Sequence, residues 1–301
     1  MNEHSTATNT GNESSEHSLE ELVITPTSSS GLLAIFELWR YRDLILTLAI
    51  RDIRVRYKQT VLGVAWAVLQ PAATVLVLTL FLGRLARVPT GDGPREYELF
   101  VFAGILPWQL FASTMNAASA SVLGAEGLIS KVYFPRIILP VAATASAVVD
   151  FCVSYTVMIL LMTIYGYRLP WEILLTLPIA GMAYLAALAL GTAMAALNVK
   201  YRDFRFFTPF IVQLGLFATP TIYLDPTAAM KAGDSSGVST SMLSAAYINP
   251  MTAVIEAFRD ALYGLPLPWY PLGISAAVIA VVLFGSFRYF RRVEDGFVDI
   301  I

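Results

Sequence analysis

Histidine and cysteine are nearly missing from this 301-residue chain, and charge of either sign is scarce. The two histidines, His4 and His17, both lie in the first 20 residues, a stretch rich in Ser, Thr, Asn and Glu. No histidine is therefore left to hold a metal or act as a base inside a folded body. Cys152 is the only cysteine, which excludes an intrachain disulfide and a cysteine metal cluster. It stands in an apolar run and reads as a small buried hydrophobe. There is no H-E-x-x-H and no D-x-D. None of the four lysines, Lys58, Lys131, Lys200 and Lys231, follows a glycine. A phosphate-binding loop needs G-K-[ST], because glycine lets backbone N–H groups reach the phosphates while lysine adds charge. The chain has no means of that kind to bind ATP.

Apolar sequence is what the chain does have. It is 56% hydrophobic and 14% charged, with a mean hydropathy of +0.64. A helix needs roughly 20 apolar residues to cross the ~30 Å hydrocarbon core. Six charge-poor stretches meet that length: 61–83, 99–124, 138–165, 173–198, 206–224 and 269–287. The expected fold is an all-α integral membrane protein of six transmembrane helices, over a domain at 31–295. Residues 1–30 read as a disordered cytoplasmic tail, without a signal peptide. Residues 296–301 form a short cytoplasmic end.

The junction at the first span sets the orientation. Residues 49–58 carry Arg51, Asp52, Arg54, Arg56, Tyr57 and Lys58, and then 61–83 carry no charge at all. With the N-terminus in the cytoplasm, fourteen Lys and Arg fall inside and six outside. This bias places both termini in the cytoplasm and the protein in the cytoplasmic membrane. Residues 31–57 read as an amphipathic helix lying along the membrane surface, with Leu46, Ile50, Ile53 and Tyr57 on one face.

The connections are as telling as the spans. Residues 126–140 are short, mixed in charge and bounded by Gly127 and Pro135, which fits a one- or two-turn helix that another protein can grip. Residues 225–263 form the outer connection before the last span. Within it, 242–255 carries no charge, is broken at Pro250, and is too short to cross. A re-entrant or surface-embedded helical pair is expected there. Asp150 is the one ionisable residue deep in a span, at a cost on the order of 3 kcal/mol, so it should face protein or water. A structural acceptor, a substrate contact and a proton relay all fit it. Aromatic rings cluster at Tyr57 and Trp66, at Phe100, Trp108 and Phe111, and at Phe210 and Phe217. A pore lined by such rings offers the C–H faces of sugars a slippery path.

The collar and first span read R-D-x-x-x-R-Y-x-x-[ST]-x-L-G-x-x-W-x-x-x-x-P, as Arg51, Asp52, Arg56, Tyr57, Thr60, Leu62, Gly63, Trp66 and Pro71. This resembles the permease subunit of polysaccharide-exporting ABC-2 transporters, which export O-antigens, capsules and teichoic acids. Three further stretches resemble the same family in order: Lys131, Phe134, Pro135, Arg136 with Pro140; Asn198, Tyr201, Arg202 and Asp203; and Asn249-Pro250 with Glu256 and Arg259. The likeness runs from about 32 to 295. Thr60 stands where Ser is more usual and keeps the hydroxyl.

The resemblance implies a homodimeric permease served by two copies of a separate ATPase subunit that binds ATP and Mg. This chain would hold no cofactor and no metal, and would bind no nucleic acid. Residues 31–57 and 126–136 would seat in the ATPase, through Arg51, Asp52, Glu126, Lys131, Phe134, Pro135 and Arg136. The pair at 226–264 would form an outer gate with Asn249, Pro250, Glu256 and Arg259. The pore would lie between two copies, lined by spans one, two and five. Arg51, Arg54 and Arg56 would attract the pyrophosphate of a lipid-linked glycan, or simply anchor anionic membrane lipids. An ABC-2 permease that exports a drug or a lipid is the alternative.

Overall fold

The computed structural model describes residues 39–58, 65–81, 97–129, 131, 134–201, 203–219, 248–294 and 296. The expected tail at 1–30, the start of the interfacial segment, the first arm of the expected re-entrant pair and residues 297–301 lie outside them. Among the described residues the chain is all-helical, with no strand. The α-helices are α1 (Arg42–Lys58), α2 (Ala65–Leu78), α3 (Tyr97–Ala120), α4 (Glu126–Ile129), α5 (Ile138–Ala143) and α6 (Ala145–Ile164). They continue as α7 (Thr176–Lys200), α8 (Phe204–Ala218), α9 (Pro250–Tyr263) and α10 (Trp269–Glu294). Single 3-10 turns at Leu123–Ala125 and Trp171–Leu175 precede α4 and α7.

Four segments are long and apolar enough to cross a membrane: α3, Ile138–Ile164 (α5 and α6 end to end), Trp171–Lys200, and α10. The first and fifth expected spans are shorter where described, at Ala65–Phe81 and Phe204–Ala218. At 1.5 Å per residue these reach about 25 Å and about 22 Å, less than a full crossing. The third span is broken by a turn at Thr144, whose hydroxyl donates to the Val141 carbonyl (2.7 Å) and pairs with the Tyr184 hydroxyl (2.8 Å). The sixth helix runs seven residues past its expected end, to Glu294. Cys152, expected to be buried, is exposed on α6.

α3 is the central post. In its most apolar stretch 78% of residues are buried, against 28% in Ile138–Ile164 and in α10, so those two are the less enclosed. Lipid is as apolar as leucine, so helices associate in it through close fit rather than through hydrophobic gain. α7 meets that need with Ala183, Ala187, Gly191 and Ala195, four residues apart and all buried. α3 lies along this strip. A Cβ on Gly191 would stand 2.6 Å from Ala118 Cβ and 3.0 Å from the Met115 carbonyl oxygen. Asn198 fastens the inner end of the crossing by donating to the Ser119 carbonyl (2.7 Å).

α9 is defined at both ends by its residues. Asn249 caps it, its side-chain oxygen accepting from the Met251 N–H (3.0 Å), and Pro250 takes the first helical position. Gly264 ends it in the left-handed region (φ 66°), where a side chain would also press on Pro170. Between these ends nearly every residue is buried, packed on α3, α7 and α10. The first arm of the expected pair lies outside the described residues; of the two expected forms, re-entrant or surface-embedded, the burial of α9 rules out the surface one for this half. Its apolar composition was a sign of burial in protein rather than in lipid.

The basic segments gather at one end of the bundle. Val122, Ile137, Val199 and Phe290 form one cluster, joining the inner ends of α3, α5, α7 and α10. Lys200 and Arg291 follow directly in sequence. Exposed Trp171, Trp269 and Tyr270 mark helix starts at the other end, as interfacial aromatics do.

The close α3–α7 crossing makes a measurable demand. Gly191→Leu should destabilise the protein by about 1–3 kcal/mol through overpacking. Gly273→Leu, where no atom lies within 4 Å of an added Cβ, should leave stability unchanged. Thermal unfolding in detergent distinguishes the two, and equal melting temperatures would contradict the packing.

Candidate functional site

α1 and the turn after α3 form one body on the basic end. Phe134 is buried against Leu48, Ala125, Ile138, Leu139 and Ala142, with Tyr41, Leu44 and Ile45 of the α1 region around it. The helix thus has a second apolar face beside the expected one. Tyr41, Leu44, Ile45 and Leu48 meet protein, while Leu46 and Ile50 are exposed, as suits a helix resting on a bilayer surface. Of the expected coupling residues, Glu126 and Lys131 are exposed, Pro135 and Arg136 are half-buried, and Phe134 is the buried pin between the two segments. Arg51 and Asp52 bond to each other at 2.9 Å.

The next turn of α1 reaches into the bundle. Arg56 forms an ion pair with Asp150 of α6 at 2.6 Å and donates to the Ser146 hydroxyl at 3.2 Å. The neighbouring Tyr57 hydroxyl donates to the other Asp150 carboxylate oxygen. Asp150, expected to have no cationic partner at its depth, has one supplied from outside the span. Its role as a structural acceptor is the one the geometry shows. Burial, and then the bond to Asp150 and its charge, push the Tyr57 phenol up to about 12, with Arg56 opposing. Of the three arginines expected to draw pyrophosphate, Arg56 is committed to Asp150 and Arg51 to Asp52. Among the described residues Arg54 is exposed and has no acidic partner.

Beside this cluster lies a cavity of about 240 Å³ between α1, α2, α3 and α6. Arg56 and Asp150 form one wall, and Trp66, Gln70, Gln109 and Ser113 contribute to the others. Ser154 helps shape it by donating to the Ala67 carbonyl (2.6 Å), which ties α6 to α2. Gln70, Gln109, Ser113 and Ser146 were not picked out from the sequence. The signal available was an uncharged amide in an otherwise apolar run, at Gln70 and Gln109.

The expected pore aromatics separate into two groups. Phe100, Trp108 and Phe111 are buried in the core of the single chain. Trp108 fills the space that a side chain at Gly215 would take, 2.7 Å from such a Cβ. Rings enclosed this way have no face to offer a passage, and their part is packing. Phe210 and Phe217 on α8 and Trp66 on α2 are exposed, while Tyr57 is held at Asp150. The expected gate residues are also inside. Asn249 joins the cap of α9 to the end of α8 by donating to the Thr219 hydroxyl (2.9 Å). Glu256 and Arg259 are buried, with the Arg259 guanidinium 3.6 Å from the centre of the Phe100 ring.

Known proteins match this chain in sequence. The family model for the ABC-2 type transporter matches residues 43–263. The O-antigen export system permease protein RfbA of Myxococcus xanthus is 29% identical over 266 residues, covering 88% of this chain and 98% of its own. The protein of the same name from Klebsiella pneumoniae is 24% identical over 254 residues, 82% and 93% of the two chains. The polysialic acid transport protein KpsM of Escherichia coli matches over a shorter region, 30% over 118 residues, 39% of this chain and 43% of its own.

The Tyr57–Asp150 bond can be read by titration. The phenol's folded value lies above its ordinary value of 10.0, so the stability it adds is complete below pH 10 and disappears as pH rises through about 12. The tyrosinate absorbance difference between wild type and Tyr57→Phe should rise near pH 12. Measured in an Asp150→Asn background, the same difference should move back toward 10. A wild-type difference already centred on 10 would rule out the bond.

Proposed function

This chain belongs to the ABC-2 type transporter family, and we propose that it is the membrane subunit of an ATP-driven exporter of a lipid-linked polysaccharide. The observation that carries this reading is the likeness to an O-antigen export permease over 98% of that protein's length. The cargo would be an O-antigen or capsule-like polymer. The chain would sit in the cytoplasmic membrane with both termini inside. Its short helices α2 and α8 would complete six crossings, since the apolar runs 61–83 and 206–224 extend beyond them in sequence.

The work divides as the composition demands. ATP and Mg belong to a separate ATPase subunit, two copies of which serve two copies of this chain. The body built by α1 and the turn at 123–136 is the docking surface. Its two segments are pinned together by Phe134, so a push on either moves both. The Arg56–Asp150 pair carries that push to α6. Arg54, and not Arg56, is the arginine open to a carrier pyrophosphate. The glycan passes between two copies along exposed rings such as Phe210, Phe217 and Trp66. The buried helix α9 and its Asn249-Pro250 cap would close the outer end, with Glu256 and Arg259 holding it on α3.

Expression with the neighbouring ATPase tests this directly. The purified chain alone should hydrolyse no ATP, and the two subunits should co-purify. Lys131→Glu should reduce ATPase capture tenfold or more, about 1.4 kcal/mol, with membrane insertion unchanged. Deleting the gene should remove a surface polysaccharide. ATP turnover by the isolated chain, or an unchanged cell surface after deletion, would overturn the reading.

A further inference from the structure

We propose that the cavity between α1, α2, α3 and α6 binds one uncharged sugar ring, at a site complete within each single chain. This deepens the export reading and rests on it for the source of the ring, a unit of the exported glycan. The charge balance comes first. Arg56 is the cation on the cavity wall and Asp150 the anion, 2.6 Å apart. The pair cancels, so the cavity offers no net positive charge to hold a phosphate or pyrophosphate. A neutral ligand with many hydroxyls fits the rest of the lining.

Hydroxyl groups need neighbours that both donate and accept. Gln70, Gln109 and Ser113 all do so. Among the described residues none of the three uses its side chain in another hydrogen bond. Gln70 is exposed and Gln109 and Ser113 are half-buried, so three unengaged polar groups open on one cavity and can exchange water for the hydroxyls of an entering ligand. Trp66 supplies the apolar plane on which the C–H face of a pyranose rests. The cavity, about 240 Å³, suits one ring and is far too small for a polymer or a lipid tail. It also lies beside the Arg56–Asp150 contact. A sugar held there would stiffen the join between α1 and α6, and so tell the cytoplasmic body that cargo is in place.

The test uses the full chain in detergent without any ATPase. Saturation-transfer NMR is run with the methyl glycosides of glucose, galactose, mannose, rhamnose and N-acetylglucosamine. At least one should receive saturation from the wild-type protein, and inorganic pyrophosphate should not displace it. Gln70→Ala and Gln109→Ala together should raise its Kd tenfold or more. Ser113→Ala should raise it by a smaller factor, and Trp269→Leu, at the far end, should not change it. Elution volume and melting temperature identify any variant that has misfolded. If Gln70→Ala with Gln109→Ala misfolds, Ser113→Ala and the exposed Gln70→Ala alone decide the matter. No signal from any glycoside, full affinity in the folded variants, or displacement by pyrophosphate would each overturn the proposal. Sugar binding fails or succeeds here without reference to export. Its loss would leave the transporter reading standing, and a deletion without surface phenotype would sink that reading while the binding remained.

Discussion

The ion pair between Arg56 and Asp150 is the constraint on which the inner half of this protein turns. A carboxylate in a membrane helix is expensive on its own. A guanidinium brought to within 2.6 Å of it removes much of that cost, and the Tyr57 hydroxyl occupies the second oxygen. The arginine comes from α1, and the aspartate from a stretch long and apolar enough to cross a membrane. Breaking the pair would leave the largely enclosed Asp150 without its cation and the half-exposed Arg56 free to return to water. The penalty is therefore uneven, and it falls on the membrane side. That asymmetry keeps α1 docked on the bundle rather than drifting along the bilayer.

Behind this contact stands a rigid body. α3 and α7 approach too closely for any side chain at Gly191, and α9 lies buried across both. The outer end is tied by Asn249, which serves the α9 backbone and the Thr219 hydroxyl together. By contrast α6 is less enclosed, buried on the one face that carries Ala147, Phe151, Ser154, Met158 and Met162, and is broken from α5 at Thr144. The bundle thus has a close-packed centre, made of α3, α7 and α9, with α6 joined to α1 and α2 through the polar contacts of Asp150 and Ser154. Motion in such a molecule is expected where the small polar contacts are, because close-packed interfaces have no intermediate arrangements.

Much of this was legible in the residues. The basic collar, the long apolar runs and the Lys/Arg bias are local or additive features, and the basic segments do collect at one end of the bundle. The break at Pro250 was legible too, though its role as the first position of a capped helix was not. The partner of Asp150 was not legible, because Arg56 is 94 positions away in sequence and no local pattern connects a surface helix to a span. Nor was the division of the aromatic rings. In a membrane helix the lipid face and the protein face are both apolar, so hydrophobic pattern cannot tell Phe100, buried on α3, from Phe210, exposed on α8. The same ambiguity left α9 open between a re-entrant and a surface-embedded arm. A charge-free stretch too short to cross fits a membrane-surface arm and a core helix equally well, and only the packing on α3, α7 and α10 decides between them.

The face on which α1 rests follows from the same reasoning about competing solvents. Its apolar residues outnumber those that the turn around Phe134 can cover. Tyr41, Leu44, Ile45 and Leu48 go to protein, where Phe134 and Leu139 fill the space between them. Leu46 and Ile50 are left over, one helical turn apart on the adjoining face. A helix with two apolar faces at an angle fits where protein and lipid meet at a corner. It is held by shape on one side, by the bilayer on the other, and by the Arg56–Asp150 pair at its end. On its protein side α1 therefore meets α5 around Phe134 as well as α6 at the pair, so its position is set by both halves of the third apolar stretch.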